Sequence, residues 1–289
     1  MAEIKNGMQT IGVVGAGTMG SGIAHIFARA SFRVLLCDVE QRLLDRALTQ
    51  IRTNLGREAA KGKLAESEIE PALARIVPTV DRDALSSAEF AVEAASERFD
   101  VKAEIFRALD RMLPESAILA TNTSSISITR LGAETRRPAQ VIGMHFFNPV
   151  PVMALVEIIR GLATSDATFA TVHALALQLG KTPVAVNDAP GFVSNRVLMP
   201  MINEAAFAVM EGVATPEAVD QVFKLGMAHP MGPLTLADFI GLDVCVDILR
   251  VLQEGFGDPK YRPCPLLVRM VAAGWLGRKS GRGFYSYRE

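Results

Sequence analysis

The stretch IGVVGAGTMGSGIA, residues 11–24, decides the fold. Its first half is a short β-branched run and its second half has the small and apolar residues of a helix. Gly15, Gly17 and Gly20 join them in the spacing G-x-G-x-x-G. Such a triplet alone is a weak sign, because a glycine-rich turn before a helix cap produces one too. Here the helix is followed by RVLLCD, a second buried run that ends in Asp38. Strand, glycine turn, helix, strand and terminal acid are together the context of a dinucleotide-binding unit. In that reading Gly15 makes the tight turn, Gly17 admits a pyrophosphate to the backbone, and Gly20 allows close helix–strand packing. The N–H groups at the helix start face the anion. Thr18 and Met19 belong to the same cofactor loop. Asp38 binds the ribose 2′-OH and repels a 2′-phosphate, which favours NAD over NADP.

Outward from this unit, short apolar runs alternate with helical segments. RIVPTV, EFAVEAA, AILAT, QVIGMHFF, LVEIIRG and PVAVND read as further strands. VEQRLLDRALTQIRTNLGREAAKGKL reads as a long helix with apolar residues three and four apart. This alternation predicts an α/β domain with a mostly parallel sheet covered on both faces. After NDAPGF the pattern changes, with Pro190-Gly191 as punctuation. GFVSNRVLMPMINEAAFAVMEG is apolar almost all round and predicts a fully buried helix. TPEAVDQVFKLG starts with a Thr cap and a Pro at the first helical position. The fold class expected is therefore α/β: a Rossmann-type NAD-binding domain over residues 1–188, then an all-α domain over 189–289.

Composition narrows the partners. The chain has 289 residues, 49% of them hydrophobic, a net charge of −1 and a mean hydropathy of +0.25, enough for two cores and without the basic face a nucleic acid needs. MAEIKNGMQT lacks the apolar core of a signal peptide, and no run is long and apolar enough to span a bilayer. Cys37, Cys245 and Cys264 are scattered and odd in number, so neither a disulfide framework nor a metal site is expected, and a reducing, cytoplasmic setting fits.

The polar residues at strand ends carry the chemistry, because ligands of an open α/β sheet gather beyond the carboxyl ends of its strands. NTSS places Asn122, Thr123, Ser124 and Ser125 after AILAT, where a plain helix cap is an equal reading. VIGMH brings His145 to the end of another strand. A single His in an apolar run is commonly a core residue. Glu157 changes that balance, because period two in LVEIIRG sets it between Leu155 and Ile159 on one face. A carboxylate there needs a partner. An antiparallel turn through FNPVPVMA brings it back beside His145, where it fixes the imidazole tautomer and leaves the other nitrogen as a base. A His–Glu pair beside a nicotinamide suits the oxidation of an alcohol.

These segments resemble one family. GAGTMGSGIA, TNTSS, GMHFFNPVPVMALVEII, DAPGFVSNR, HPMGPLTLADFIGLD and GRKSGRGFY together are similar to the L-3-hydroxyacyl-CoA dehydrogenases, in particular the bacterial 3-hydroxybutyryl-CoA dehydrogenases, over nearly the whole chain. The resemblance implies an NAD-binding domain followed by a helical domain that contacts substrate and forms a homodimer. It implies a role in fatty-acid metabolism or β-oxidation. By the same resemblance His145 is the general acid/base and Glu157 orients it, while Ser124 and Asn195 contact the substrate oxygen. Asn122, Ser124, Asn148, Glu97, Lys102 and Lys279 join the glycine loop and Asp38 in holding the cofactor, and Lys61 and Asn54 lie near the CoA phosphates. Read without it, Glu97 and Lys102 are a solvated helix start, and Lys61 and Lys279 are surface lysines.

Three other readings compete: a sugar-acid dehydrogenase of the same fold, a lens-type structural relative that needs no turnover, and a nucleotide sensor without chemistry. TNTSS with HFFNPVPVM argues for the acyl-CoA branch. The His–Glu pair argues against the other two, since neither gains from so costly a buried group.

Overall fold

The protein is described here from a computed structural model covering residues 8–287; most of MAEIKNGMQT, on which the signal-peptide reading rests, lies outside the described residues. The chain divides into two compact units, the first running to Ala189 and the second starting at Pro190.

The first unit is built on one eight-stranded sheet. In chain order it contains β1 (Thr10–Val14), α1 (Thr18–Arg29), β2 (Arg33–Cys37), α2 (Gln41–Ala60), α3 (Ile69–Ala74), β3 (Ile76–Thr79) and β4 (Phe90–Glu93). It continues with α4 (Phe99–Met112), β5 (Ile118–Thr121), α5 (Ile128–Ala133), β6 (Val141–Phe146), β7 (Leu155–Arg160), α6 (Asp166–Gln178) and β8 (Thr182–Asn187). The strand order is β3-β2-β1-β4-β5-β6-β7-β8. Its first six strands have the doubly wound order of a dinucleotide-binding fold, with the switch point between β1 and β4. Every strand expected from the sequence is present, because central strands of a parallel sheet are buried on both faces and read as continuous apolar runs. β4 and β5 are buried at every position. Proline falls at the two outer strands, Pro78 in β3 and Pro183 in β8, where a missing N–H costs least.

One pair breaks the parallel pattern. β6 and β7 are antiparallel, in a register that sets His145 opposite Glu157. β8 returns parallel to β7.

The second unit is helical among the described residues. It comprises α7 (Ser194–Met210), α8 (Pro216–Gly226), α9 (Pro233–Ile240), α10 (Leu242–Phe256) and α11 (Pro265–Ala272). Thr215 caps α8 by accepting the N–H of Ala218, with Pro216 at the first position. The core is formed by Met199, Ile202, Leu242, Leu249 and Leu267 among others. Two buried aspartates hold the tail: Asp220 accepts from the Tyr285 hydroxyl at 2.9 Å, and Asp238 accepts the N–H groups of Phe284 and Tyr285, both at 3.0 Å. The fully buried helix expected from GFVSNRVLMPMINEAAFAVMEG is corrected. α7 buries Met199, Ile202 and Ala206 but leaves Val197 67% exposed. It packs on α8, α9, α10 and α11, which leave only Arg196, Val197 and Glu204 of the helix exposed.

Candidate active site

The glycine turn is dictated by backbone crowding. Gly15 has φ +102°, and a Cβ there would lie 2.6 Å from the Ala94 carbonyl oxygen; a Cβ on Gly20 would strike the Gly15 carbonyl oxygen. These two glycines let β1 pass directly into α1. Gly17 differs. A Cβ on it would meet nothing within 4 Å, yet it caps α1 with no side chain to satisfy the first N–H groups. Open space before uncapped N–H groups is what an anion requires. Asp38 stands at the end of β2, its Oδ2 accepting the Ala16 N–H at 2.6 Å and its Oδ1 the Val39 N–H at 2.7 Å. A carboxylate accepts about four hydrogen bonds, so two places remain for ribose hydroxyls. Beside it a cavity of about 490 Å³ is lined by Gly17, Asp38, Val39, Val80 and Arg82. The residues present therefore fit NAD. Thr18 lies on the open side of this loop, whereas the Met19 side chain packs against the core.

The strand-end loops beyond β4 and β5 form one network. Glu93, wholly buried at the end of β4, accepts from Lys102 Nζ at 2.7 and 2.9 Å, from Thr121 Oγ1 at 2.7 Å and from the Ala95 N–H at 2.6 Å. Lys102 is 1% exposed. The solvated helix start is therefore corrected: local sequence shows a charged segment, but tertiary contact with Glu93 draws the lysine inside. Its tie toward the cleft is Glu97, whose Oε2 lies 3.3 Å from Nζ. Glu97 in turn accepts the Thr123 hydroxyl at 2.5 Å, the Ser125 hydroxyl at 2.8 Å and the Ser124 N–H at 2.9 Å. Burial raises the Glu97 carboxyl, but the Lys102 cation and these hydrogen bonds outweigh it, and it is held below the usual glutamate value. Asn122 uses its side-chain oxygen to accept the Phe146 N–H at 2.9 Å, tying β5 to the end of β6.

His145 Nδ1 lies 2.8 Å from Glu157 Oε2, and the two residues are 8% and 3% exposed. The Phe147 ring packs on the imidazole with centroids 4.7 Å apart. With Nδ1 donating to the carboxylate, Nε2 is the nitrogen able to take a proton.

A second cleft of about 380 Å³ opens on the other side of the glycine loop, lined by Gly17, Thr18, Arg46, Asn54, Arg57 and Asn148. Asn54 and Asn148 are thus brought to one cleft, together with two arginines that sequence reading missed. Lys61 is not in its wall. α2 ends at Ala60, and Lys61 is left exposed as the chain turns at Gly62. In the second unit Asn195 is buried in the first turn of α7, and Lys279 pairs with Asp243 at 2.6 Å. Sequence reading also missed Glu93, although its signal was available: it ends an apolar strand as Asp38 does. Among the described residues, no cluster of His, Cys, Asp or Glu could hold a metal ion, and no helix is long and apolar enough to cross a membrane.

Fold, glycine loop and strand-end acid define an NAD-binding protein, and the family and relatives it matches make it an oxidoreductase. The family model described as 3-hydroxyacyl-CoA dehydrogenase, NAD binding domain, matches residues 10–189, and that of the C-terminal domain matches residues 191–287. The chain belongs to the 3-hydroxyacyl-CoA dehydrogenase family. It is 56% identical over 287 residues to a probable 3-hydroxybutyryl-CoA dehydrogenase of Bacillus subtilis, covering 99% of both chains. It is 52% identical over 281 residues to the 3-hydroxybutyryl-CoA dehydrogenase of Bradyrhizobium diazoefficiens, covering 97% of this chain and 96% of the relative. The crystal structure of (S)-3-hydroxybutyryl-CoA dehydrogenase from Ralstonia eutropha superposes with a TM-score of 0.95 at 50% identity, covering 98% of this chain and all of the other.

Proposed function

We propose that this protein catalyses the reversible oxidation of L-3-hydroxyacyl-CoA to 3-ketoacyl-CoA, with 3-hydroxybutyryl-CoA as its substrate and His145–Glu157 as the acid/base pair. The observation that carries the mechanism is the 2.8 Å contact between His145 and Glu157 across the one antiparallel strand pair of the sheet. NAD, when bound, supplies the hydride acceptor. Glu157 holds Nδ1 protonated, so Nε2 of neutral His145 takes the hydroxyl proton of the substrate and returns it in the reverse direction. Ser124 and Asn195 are the groups assigned to the substrate oxygen. Glu97 supports this by fixing the backbone of Ser124. Arg46 and Arg57, in the cleft that holds Asn54 and Asn148, supply cations for the phosphates of CoA. The names of the relatives at 52–56% identity support the four-carbon substrate.

The second unit is assigned the homodimer contact, supported by exposed apolar side chains such as Val197, Leu225 and Met227. A cytoplasmic site is supported by three cysteines that are buried and unpaired.

The test is NADH oxidation by the purified protein with acetoacetyl-CoA, run beside NADPH and beside free acetoacetate. The expected result is rapid, CoA-dependent loss of NADH and slow use of NADPH. A protein that binds NADH but does not turn over acetoacetyl-CoA refutes the four-carbon assignment.

A further inference from the structure

Lys181 ends the turn between α6 and β8, is 7% exposed and points its ammonium inward. Nζ donates to the Val150 carbonyl at 2.5 Å and to the Met153 carbonyl at 2.8 Å. Both carbonyls belong to the turn between β6 and β7. That turn is folded on itself, with the N–H groups of Val152 and Met153 both donating to the Pro149 carbonyl. It is also pressed onto α1, where a Cβ on Gly22 would lie 2.8 Å from Val150 Cβ. Asn148, at the start of the turn, lines the cleft opposite Gly17 and Thr18.

A buried ammonium is a costly way to fill space. Taking it from water costs several kcal/mol, and an apolar side chain of the same length would pack as well. Its neighbours do not supply a simple ion pair. Arg29 and Glu58 face it from α1 and α2, and Glu58 is already engaged by Arg29 at 2.9 Å, with His25 Nε2 at 3.4 Å. Burial pulls Lys181 below the ordinary lysine value, Arg29 acts in the same direction and Glu58 opposes them. The ammonium is therefore committed to the two carbonyls.

We propose that Lys181 is a positioning residue for the dehydrogenase reaction: by gripping Val150 and Met153 it fixes the turn that presents Asn148 to the cofactor and joins the two strands of the His145–Glu157 pair. This rests on the function read above for Asn148 and that pair.

The test is NADH affinity, read by the fluorescence of the bound nucleotide, in K181M, K181R, N148A and K181M/N148A, with turnover and thermal stability measured alongside. K181M should weaken NADH binding by about 10-fold, the scale of losing an outer hydrogen-bonding partner. K181R keeps the cation and its donors and should restore most of that affinity. If Lys181 acts through Asn148, K181M should add little once Asn148 is alanine. Wild-type affinity and turnover in folded K181M overturn the proposal, as do losses that add fully in the cycle and are not restored by K181R. Should K181M not fold, K181Q, with a shorter arm and a neutral donor, takes its place and must show the same loss. Because the binding assay needs no turnover, wild-type protein that binds NADH and ignores acetoacetyl-CoA refutes the substrate assignment and leaves the Lys181 test intact.

Discussion

Glu93 and Glu157 lie on strands of the same sheet, both nearly closed to solvent, and they meet different partners. Glu93 meets a lysine ammonium from α4, a threonine hydroxyl at the end of β5 and a backbone N–H of the loop after β4, a set that ties these elements together. Glu157 meets an imidazole, the side chain whose charge changes most readily near neutral pH. Burial of a carboxylate therefore does not by itself mark a reacting group. In the function proposed, what separates the two is the partner: an imidazole that serves as acid and base for Glu157, an ammonium that serves as a strut for Glu93.

Each region can be broken on its own. H145Q should lower kcat by about 10²–10⁴, the usual worth of a positioned acid/base, while NADH affinity and thermal stability stay near wild type. Near-normal turnover would remove His145 from the mechanism. The scaffold should respond in the opposite way. E93L leaves the Lys102 ammonium without its buried counter-charge and should cost about 3–5 kcal/mol of stability. E93L/K102M, which removes both charges, should recover much of it in a denaturant titration. A double variant as unstable as the single one would contradict this account of the pair. E157Q falls between them. It should lose about 10–100-fold in kcat, as when a carboxylate orienting an imidazole is removed, with a changed pH profile and only a modest drop in melting temperature. Unchanged rate and profile would place Glu157 with Glu93, as a structural group.

The smallest effect sharpens the comparison at its edge, at Glu97. Its carboxyl is held below the ordinary glutamate value, so the native state binds that proton less readily than the unfolded chain. Its stabilising contribution is then complete above the ordinary value of about 4.3 and is lost as pH falls through the lowered native value. The gap in melting temperature between wild type and E97Q should be widest near neutral pH and should close in acid. A gap that widens on acidification would reverse the sign argued here.

How much was legible depends on how far each signal reached along the chain. The eight strands could be read because each is a short local run, and the β1–α1 turn because Gly15 needs a positive φ and Gly20 must clear the Gly15 carbonyl within the same turn. The His145–Glu157 pair was legible because period two and one turn suffice to relate the two positions. The Glu93–Lys102 pair was not. Nothing in EAASERFDVK shows that the helix start folds back on the strand end, so its charges read as solvated. Asn122 could be flagged as a polar residue at a strand end, but its use as a bracket for Phe146 depends on the β5–β6 pairing. Lys181 lies 28 residues from Met153, and its role arises only when β8 is laid beside β7. α7 misled in the other direction, because an apolar sequence does not say how many neighbours will cover it.

The antiparallel turn between β6 and β7 has a consequence for how this segment tolerates change. A register slip of one residue sends every side chain of a strand to the opposite face. Removing or adding a single residue in FNPVPVMA that moves β7 by one step would therefore turn Glu157 away from His145, with neither residue altered. The segment is a loop by position, yet its length is constrained even at sites where its composition is not. Conservative replacements are tolerable at solvent-facing sites such as Val152, 70% exposed, whereas a change of length that shifts β7 by one step is not.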